Sequence, residues 1–158
     1  MAHAKDPGKE RGMKILVLNG PNLNMLGRRE SEHYGSLTLY EINRRLDKLA
    51  EELGLELAFA QSNHEGELVD LLQEASPQYA GVVLNAGGYT HTSVAIRDAV
   101  LCCGVPVVEV HLSQPAAREE FRRFSYLSGA CAGTVAGFGW RSYALALRWF
   151  AALRDEEK

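Results

Sequence analysis

Five times along its length the chain alternates between a short apolar run and a stretch whose apolar residues recur at helical spacing. No other feature constrains the fold as much. A short buried strand followed by a crossover helix returns the chain only to a parallel neighbour in the same sheet. Residues 14–19 (KILVLN) are an unbroken apolar run that ends abruptly in a polar loop, as a strand covered on both faces does. That loop, residues 20–36, is rich in Asn, Gly and Arg. Thr38 and Glu41 then form a capping box that opens a helix with Leu39, Ile42, Leu46, Leu49 and Leu53 on one stripe, and Gly54 stops it. Residues 55–61 read as the second strand. Ser62 and Glu65 offer another capping box, before a stripe of Leu68, Leu71, Leu72 and Ala75 that Pro77 ends. A third strand is expected over residues 80–85, then a loop over 86–92 and a helix to about Cys103. The fourth strand falls at residues 105–112, with Pro106 at its start, where a missing N–H is tolerated. A short basic helix over 116–123, a fifth strand over 133–136 and a closing helix over 141–153 complete the pattern.

This order predicts an α/β fold: a doubly wound, five-stranded parallel sheet in the flavodoxin-like order, forming a single domain over residues 13–158. The chain has 158 residues, and roughly 70% of the unfolded surface can be buried at that size, so the core needs no staples. Residues 1–12 are polar, carry mixed charge and lack the apolar centre of a signal peptide. They read as a disordered extension. No apolar run is long enough to span a bilayer, so no membrane partner is expected. The formal charge of −3 offers no global field for nucleic acid or anionic lipid, so any anion must be held by a local basic cluster. Cys102, Cys103 and Cys131 match neither a disulfide framework nor a metal knuckle. They are expected to be small buried thiols in a reducing compartment, the cytoplasm.

In doubly wound sheets ligands sit outside the carboxyl ends of the strands, which directs attention to three polar clusters. The first runs from Asn19 through Asn22 and Arg29 to Tyr34; it lacks both the Walker ending and the G-x-G-x-x-G turn. The second, Asn85 to His91, holds paired glycines that let backbone approach a ligand. The third is Glu109, His111, Leu112 and Ser113, followed by Arg118 and Arg122. Glu109 and His111 point to one face of a strand, where a carboxylate can orient an imidazole and raise its proton affinity. Arg118 and Arg122 stand four apart, on one face of the expected helix. Each cluster also has a plain structural reading: turn chemistry, a polar helix start, a structural Glu–His pair, a solvated basic face. No nucleophile elbow, HExxH or zinc spacing is present in the sequence. What remains is proton transfer plus carboxylate binding. That chemistry suits a cofactor-free lyase or isomerase acting on a small anionic, hydroxylated substrate. A flavodoxin-like domain that binds a carbohydrate acid without turning it over is the alternative from another class.

Taken together, the stretches NGPNLNMLGRRE with Tyr34-Gly35, QSNHEGEL, LNAGGYTHTSVAIRDA, EVHLS, AREEFRRFSYLS and GFGWRSYALAL resemble the type II 3-dehydroquinate dehydratases, in that family's order and spacing. The resemblance covers residues 13 to about 153. It implies a hydro-lyase of the shikimate pathway that converts 3-dehydroquinate reversibly to 3-dehydroshikimate, by anti elimination through an enolate, with no metal and no cofactor. It also implies a homo-oligomer of trimers packed into a dodecamer. By motif, Tyr34 is the base beside the ketone and Arg29 its cationic neighbour. Asn22 holds a water on the enolate oxygen. His111, oriented by Glu109, protonates the departing hydroxyl. Asn85, His91, Ser113, Arg122 and the backbone of Leu112 bind the substrate, and Asp98 reaches in from a neighbouring subunit. Three positions depart from the family pattern: Ser31 where a proline is common, Gln114 where Asn is usual, and the small run Ala130-Cys131-Ala132.

Overall fold

The computed structural model describes residues 12–28 and 36–158. Five strands, β1 (Met13–Asn19), β2 (Leu55–Gln61), β3 (Gly81–Asn85), β4 (Val107–His111) and β5 (Gly133–Ala136), form one sheet in the order β2-β1-β3-β4-β5, with every pairing parallel. This is the flavodoxin-like order. Among the described residues, four helices of nine residues or more cover it: α1 (Leu39–Leu53), α2 (Glu65–Gln73), α3 (Val94–Cys102) and α4 (Arg141–Glu156). No helix among the described residues is long and apolar enough to cross a membrane.

Because successive strand side chains point to opposite faces, β1 splits its apolar residues between two cores. Ile15 and Val17 join Val83, Val108 and Val110 under Ile42 and Leu46 of α1 and Tyr143, Leu147 and Phe150 of α4. Leu16 and Leu18 join Val82, Leu84 and Val107 under Leu68 and Leu72 of α2 and Ile96 and Val100 of α3. The central strands are thus apolar on both faces, which the continuous runs of β1 and β3 foreshadow.

Local signals set the helix ends. Thr38 and Glu41 make the reciprocal capping box of α1: Glu41 N–H donates to Thr38 Oγ1 at 3.2 Å, and Thr38 N–H to Glu41 Oε2 at 2.7 Å. Gly54 closes α1 in the left-handed region. The second expected box does not form. α2 begins at Glu65 with His64 as its N-cap, so Ser62 lies too early; its hydroxyl accepts from His64 N–H at 2.9 Å and donates to Glu67. The basic helix expected over 116–123 is also absent. In its place are two single 3₁₀ turns, Pro115–Ala117 and Glu120–Arg122, with Arg118 extended between them. Cys103 is buried and Cys131 partly so, but Cys102 is exposed, since it falls off the inner stripe of Ile96, Ala99, Val100 and Cys103.

Candidate active site

Strand order reverses between β1 and β3, so the loops leaving their carboxyl ends diverge and open a crevice. Asn19 and Asn85, the last residues of the two strands, are register partners. Just beyond them Gly20 N–H donates to Asn85 O at 2.7 Å, and a Cβ on Gly20 would stand 2.6 Å from the carbonyl oxygen of Ala86. Only glycine lets the two loops leave this close together. Pro21, Asn22 and Leu23 line one wall of the resulting pocket, and Asn85, Gly87, Gly88 and His91 another. His111, Leu112, Ser113, Pro115, Arg118 and Arg122 complete it.

Asn22 sits at φ +66°, the one described non-glycine residue in the left-handed region. Its conformation is held from the neighbouring strand's exit. Asn63 Oδ1 accepts from Asn22 N–H at 2.9 Å and from Gln61 Nε2 at 3.1 Å, while Gln61 Nε2 also donates to Gly20 O at 3.2 Å. The segment QSNHEGEL, whose residues taken singly suggest only a strand end and a helix start, therefore braces the pocket wall that carries Asn22.

A second brace lies beneath the crevice. The fully buried Tyr143 donates its hydroxyl hydrogen to Asn19 Oδ1 at 2.6 Å and accepts from Asn85 Nδ2 at 2.8 Å; Asn85 Oδ1 accepts from Gly87 N–H at 3.1 Å. Burial pushes the Tyr143 phenol well above its ordinary range, against the lowering pull of the Asn85 hydrogen bond. It stays neutral and holds the Asn85 amide in one orientation. Sequence periodicity places Tyr143 only on the inner stripe of the last helix; nothing local marks its polar end as part of a strand-end network.

The third cluster folds as the strand geometry requires. Glu109 is fully buried, and its Oε1 lies 3.2 Å from His111 Nε2. Burial pushes the Glu109 carboxyl up, but hydrogen bonds from His111, Ser125 and Ser128 and the attraction of the imidazole outweigh it and hold the group at about 2. With Nε2–H turned to Glu109, Nδ1 is the nitrogen His111 has for a ligand. His91 stacks on it, ring centroids 6.5 Å apart, and donates from Nδ1 to Phe124 O at 2.8 Å. Arg118 and Arg122 both line the pocket, though not by helical spacing. The extended Arg118 separates two turns, and Glu119 bridges them: its carboxylate accepts from Arg122 Nε at 2.7 Å and lies 3.7 Å from Arg118 Nε. It is Nε of Arg122, not its terminal nitrogens, that Glu119 engages.

Of the residues expected in a site, Asn22, Asn85, His91, His111, Leu112, Ser113 and Arg122 meet at one pocket, with Glu109 directly behind His111. Asp98 does not line it; it is exposed on α3. Arg29 and Tyr34 lie outside the described residues. The pocket gathers a proton-carrying imidazole backed by a carboxylate, two guanidinium groups and several amides. It can bind a small carboxylate and hand a proton to a leaving group.

Comparison with known proteins converges on one family. Residues 13–151 match the family model described as Dehydroquinase class II. A 3-dehydroquinate dehydratase of Phenylobacterium zucineum is 55% identical over 139 residues, 88% of this chain and 96% of that protein. The crystal structure of the type II dehydroquinase from Propionibacterium acnes superposes with a TM-score of 0.86 at 42% identity, covering 89% of this chain and 99% of that one. The type II dehydroquinase from Butyrivibrio crossotus superposes with a TM-score of 0.85 at 41% identity, covering 87% and 97%.

Proposed function

The chain belongs to the class II dehydroquinase family, and from that membership we infer that it is a hydro-lyase, converting 3-dehydroquinate to 3-dehydroshikimate in the shikimate pathway. The observation in this fold that carries the reading is the buried Glu109–His111 pair opening onto a pocket walled by Arg118 and Arg122. The substrate brings a carboxylate, a ketone and a hydroxyl to be lost. Arg122, through its terminal nitrogens, binds the carboxylate, with Ser113 and the backbone of Leu112 beside it. Asn85, oriented by Tyr143, and His91 hold the hydroxyls.

Loss of the proton next to the ketone leaves an enolate. Tyr34 is assigned as the base. A phenol with an ordinary pKa of about 10 needs a cation to act so near neutral pH, and Arg29, on the same loop in sequence, is assigned that part. Asn22 positions a water on the enolate oxygen. As the enolate collapses, the new double bond forms, the carbon–oxygen bond breaks, and His111 gives its Nδ1 proton to the hydroxyl, which leaves as water. The reading uses neither metal nor cofactor.

We place the working enzyme in the cytoplasm as a homo-oligomer, trimers packed into a dodecamer. The family resemblance gives Asp98 a place in the site; here it is exposed and does not line its own chain's pocket, and we assign that place to a neighbouring copy. The test is the ultraviolet absorbance of the conjugated enone product. Purified protein given 3-dehydroquinate generates it, and His111→Ala slows turnover by about 10²–10⁴-fold while still exchanging the proton next to the ketone with solvent. No enone from the unaltered protein overturns the assignment.

A further inference from the structure

Glu109 has more partners than an orienting carboxylate needs. His111 Nε2 and Ser125 Oγ meet its Oε1 at 3.2 and 2.6 Å. Thr134 Oγ1 donates to Oε2 at 2.9 Å, and the Ser128 hydroxyl donates to Oε2 as well. Four donors thus fill the roughly four acceptor directions a carboxylate has. The three hydroxyls reach Glu109 from two separate parts of the chain. Thr134 is its register partner on β5, and Ser125 and Ser128 come from the connection between the Glu120–Arg122 turn and β5. That connection is itself fixed, since Ser125 Oγ accepts from the N–H groups of Leu127 and Ser128 at 3.0 and 3.1 Å.

We propose that Ser125, Ser128 and Thr134 are positioning residues that keep Glu109 purely an acceptor, pinning one proton on His111 Nε2 and setting how readily Nδ1 gives up the other. The inference rests on the reading of His111 as the acid. A bare buried carboxylate beside an imidazolium would hold it strongly and compete for its proton. Three hydroxyl donors spread that charge, so the carboxylate is a weaker base and stabilises the imidazolium less. His111 then becomes a readier acid while its tautomer stays fixed. Other titratable and charged groups also face the pair, and every variant in the test keeps them unchanged. The Cys131 thiol is pushed up to about 12 by burial and by the charge of Glu109, so it is neutral. His91 faces the imidazole from the β3–α3 connection, and Arg122 and Arg123 line the cavity beside the pair. On the β3 side the register partner is Leu84, which brings no charge.

The test removes hydroxyls one at a time: Thr134→Val, which keeps shape, Ser128→Ala, and the two combined. The protein carries histidine labelled in the ring, and the His111 signal is identified by its loss in His111→Asn. The midpoint of its titration is expected to rise by about half a unit for each hydroxyl removed. The alkaline limb of kcat/KM follows it, KM changes little, and Thr134→Ser restores the original midpoint. Each single variant leaves two hydroxyls on Glu109, so the measurement does not depend on the doubly altered chain folding. An unmoved midpoint in Thr134→Val and Ser128→Ala, with or without a uniform fall in rate, overturns the proposal. A protein that forms no enone yet shows the shifts overturns the functional reading and leaves the positioning role intact.

Discussion

A carboxylate with no exposed surface that remains ionised makes folding depend on pH in a definite direction. Glu109 in the fold sits at about 2, against 4.5 for an ordinary glutamate. A depressed carboxyl contributes stability that is complete above its unfolded value and is lost as pH falls toward its folded one. The window for Glu109 therefore runs from about pH 5 down to about pH 2, and its full contribution is on the order of 3 kcal/mol. Urea unfolding at pH 6 and pH 3 should show the protein losing part of this, while Glu109→Gln is weaker at pH 6 and loses less between the two. The same slope in both proteins would remove Glu109 from the account. The substitution also costs catalysis, since an amide offers one acceptor oxygen where four donors converge. Its turnover should fall because His111 loses its fixed tautomer.

Short connections decide the pocket more than helices do, and here the sequence was legible to an uneven degree. The five strands follow from apolar runs that end sharply, and β2 and β5 fall on the residues expected. Glu109 and His111 share a strand face by simple alternation, so their pairing was readable before any fold was known. Arg118 and Arg122 were not readable in the same way. Their spacing suits a helix, but Pro115 starts a 3₁₀ turn, Arg118 extends, and Glu119 clasps Arg118 and Arg122 across the break. Side-chain pairing there outweighs a periodicity only eight residues long. Tyr143 and Asn63 were missed for a related reason, since their partners lie 124 and 41 residues away. Two outcomes follow for these connections. Asn63→Ala removes the acceptor that holds Asn22 at positive φ; a hydrogen bond of about 1 kcal/mol makes this roughly a fivefold loss in kcat/KM. Arg122→Lys keeps the charge but not the planar fork, so KM should rise with kcat less affected. Unchanged affinity for anionic inhibitors in that variant would leave Arg118 as the carboxylate's partner.

At the scale of the assembly, the position of Asp98 turns a question of shape into one of activity. If it serves the pocket of the next copy, each complete site is built from two chains, one carrying His111 and the other Asp98. The interface is then heterologous: one patch of a chain meets a different patch of its neighbour, as in a closed ring. Asp98→Ala and His111→Ala should each be nearly inactive as pure proteins, for different reasons. Unfolding and refolding a one-to-one mixture shuffles the chains, and some sites then pair the intact His111 of one variant with the intact Asp98 of the other. Random mixing restores about a quarter of the sites in a ring in which each site draws on one neighbour. Activity near that fraction of the unaltered enzyme, absent when the two proteins are combined without refolding, is the expected result. Were Asp98 to act within its own chain, every shuffled site would still carry one defect and no activity would return.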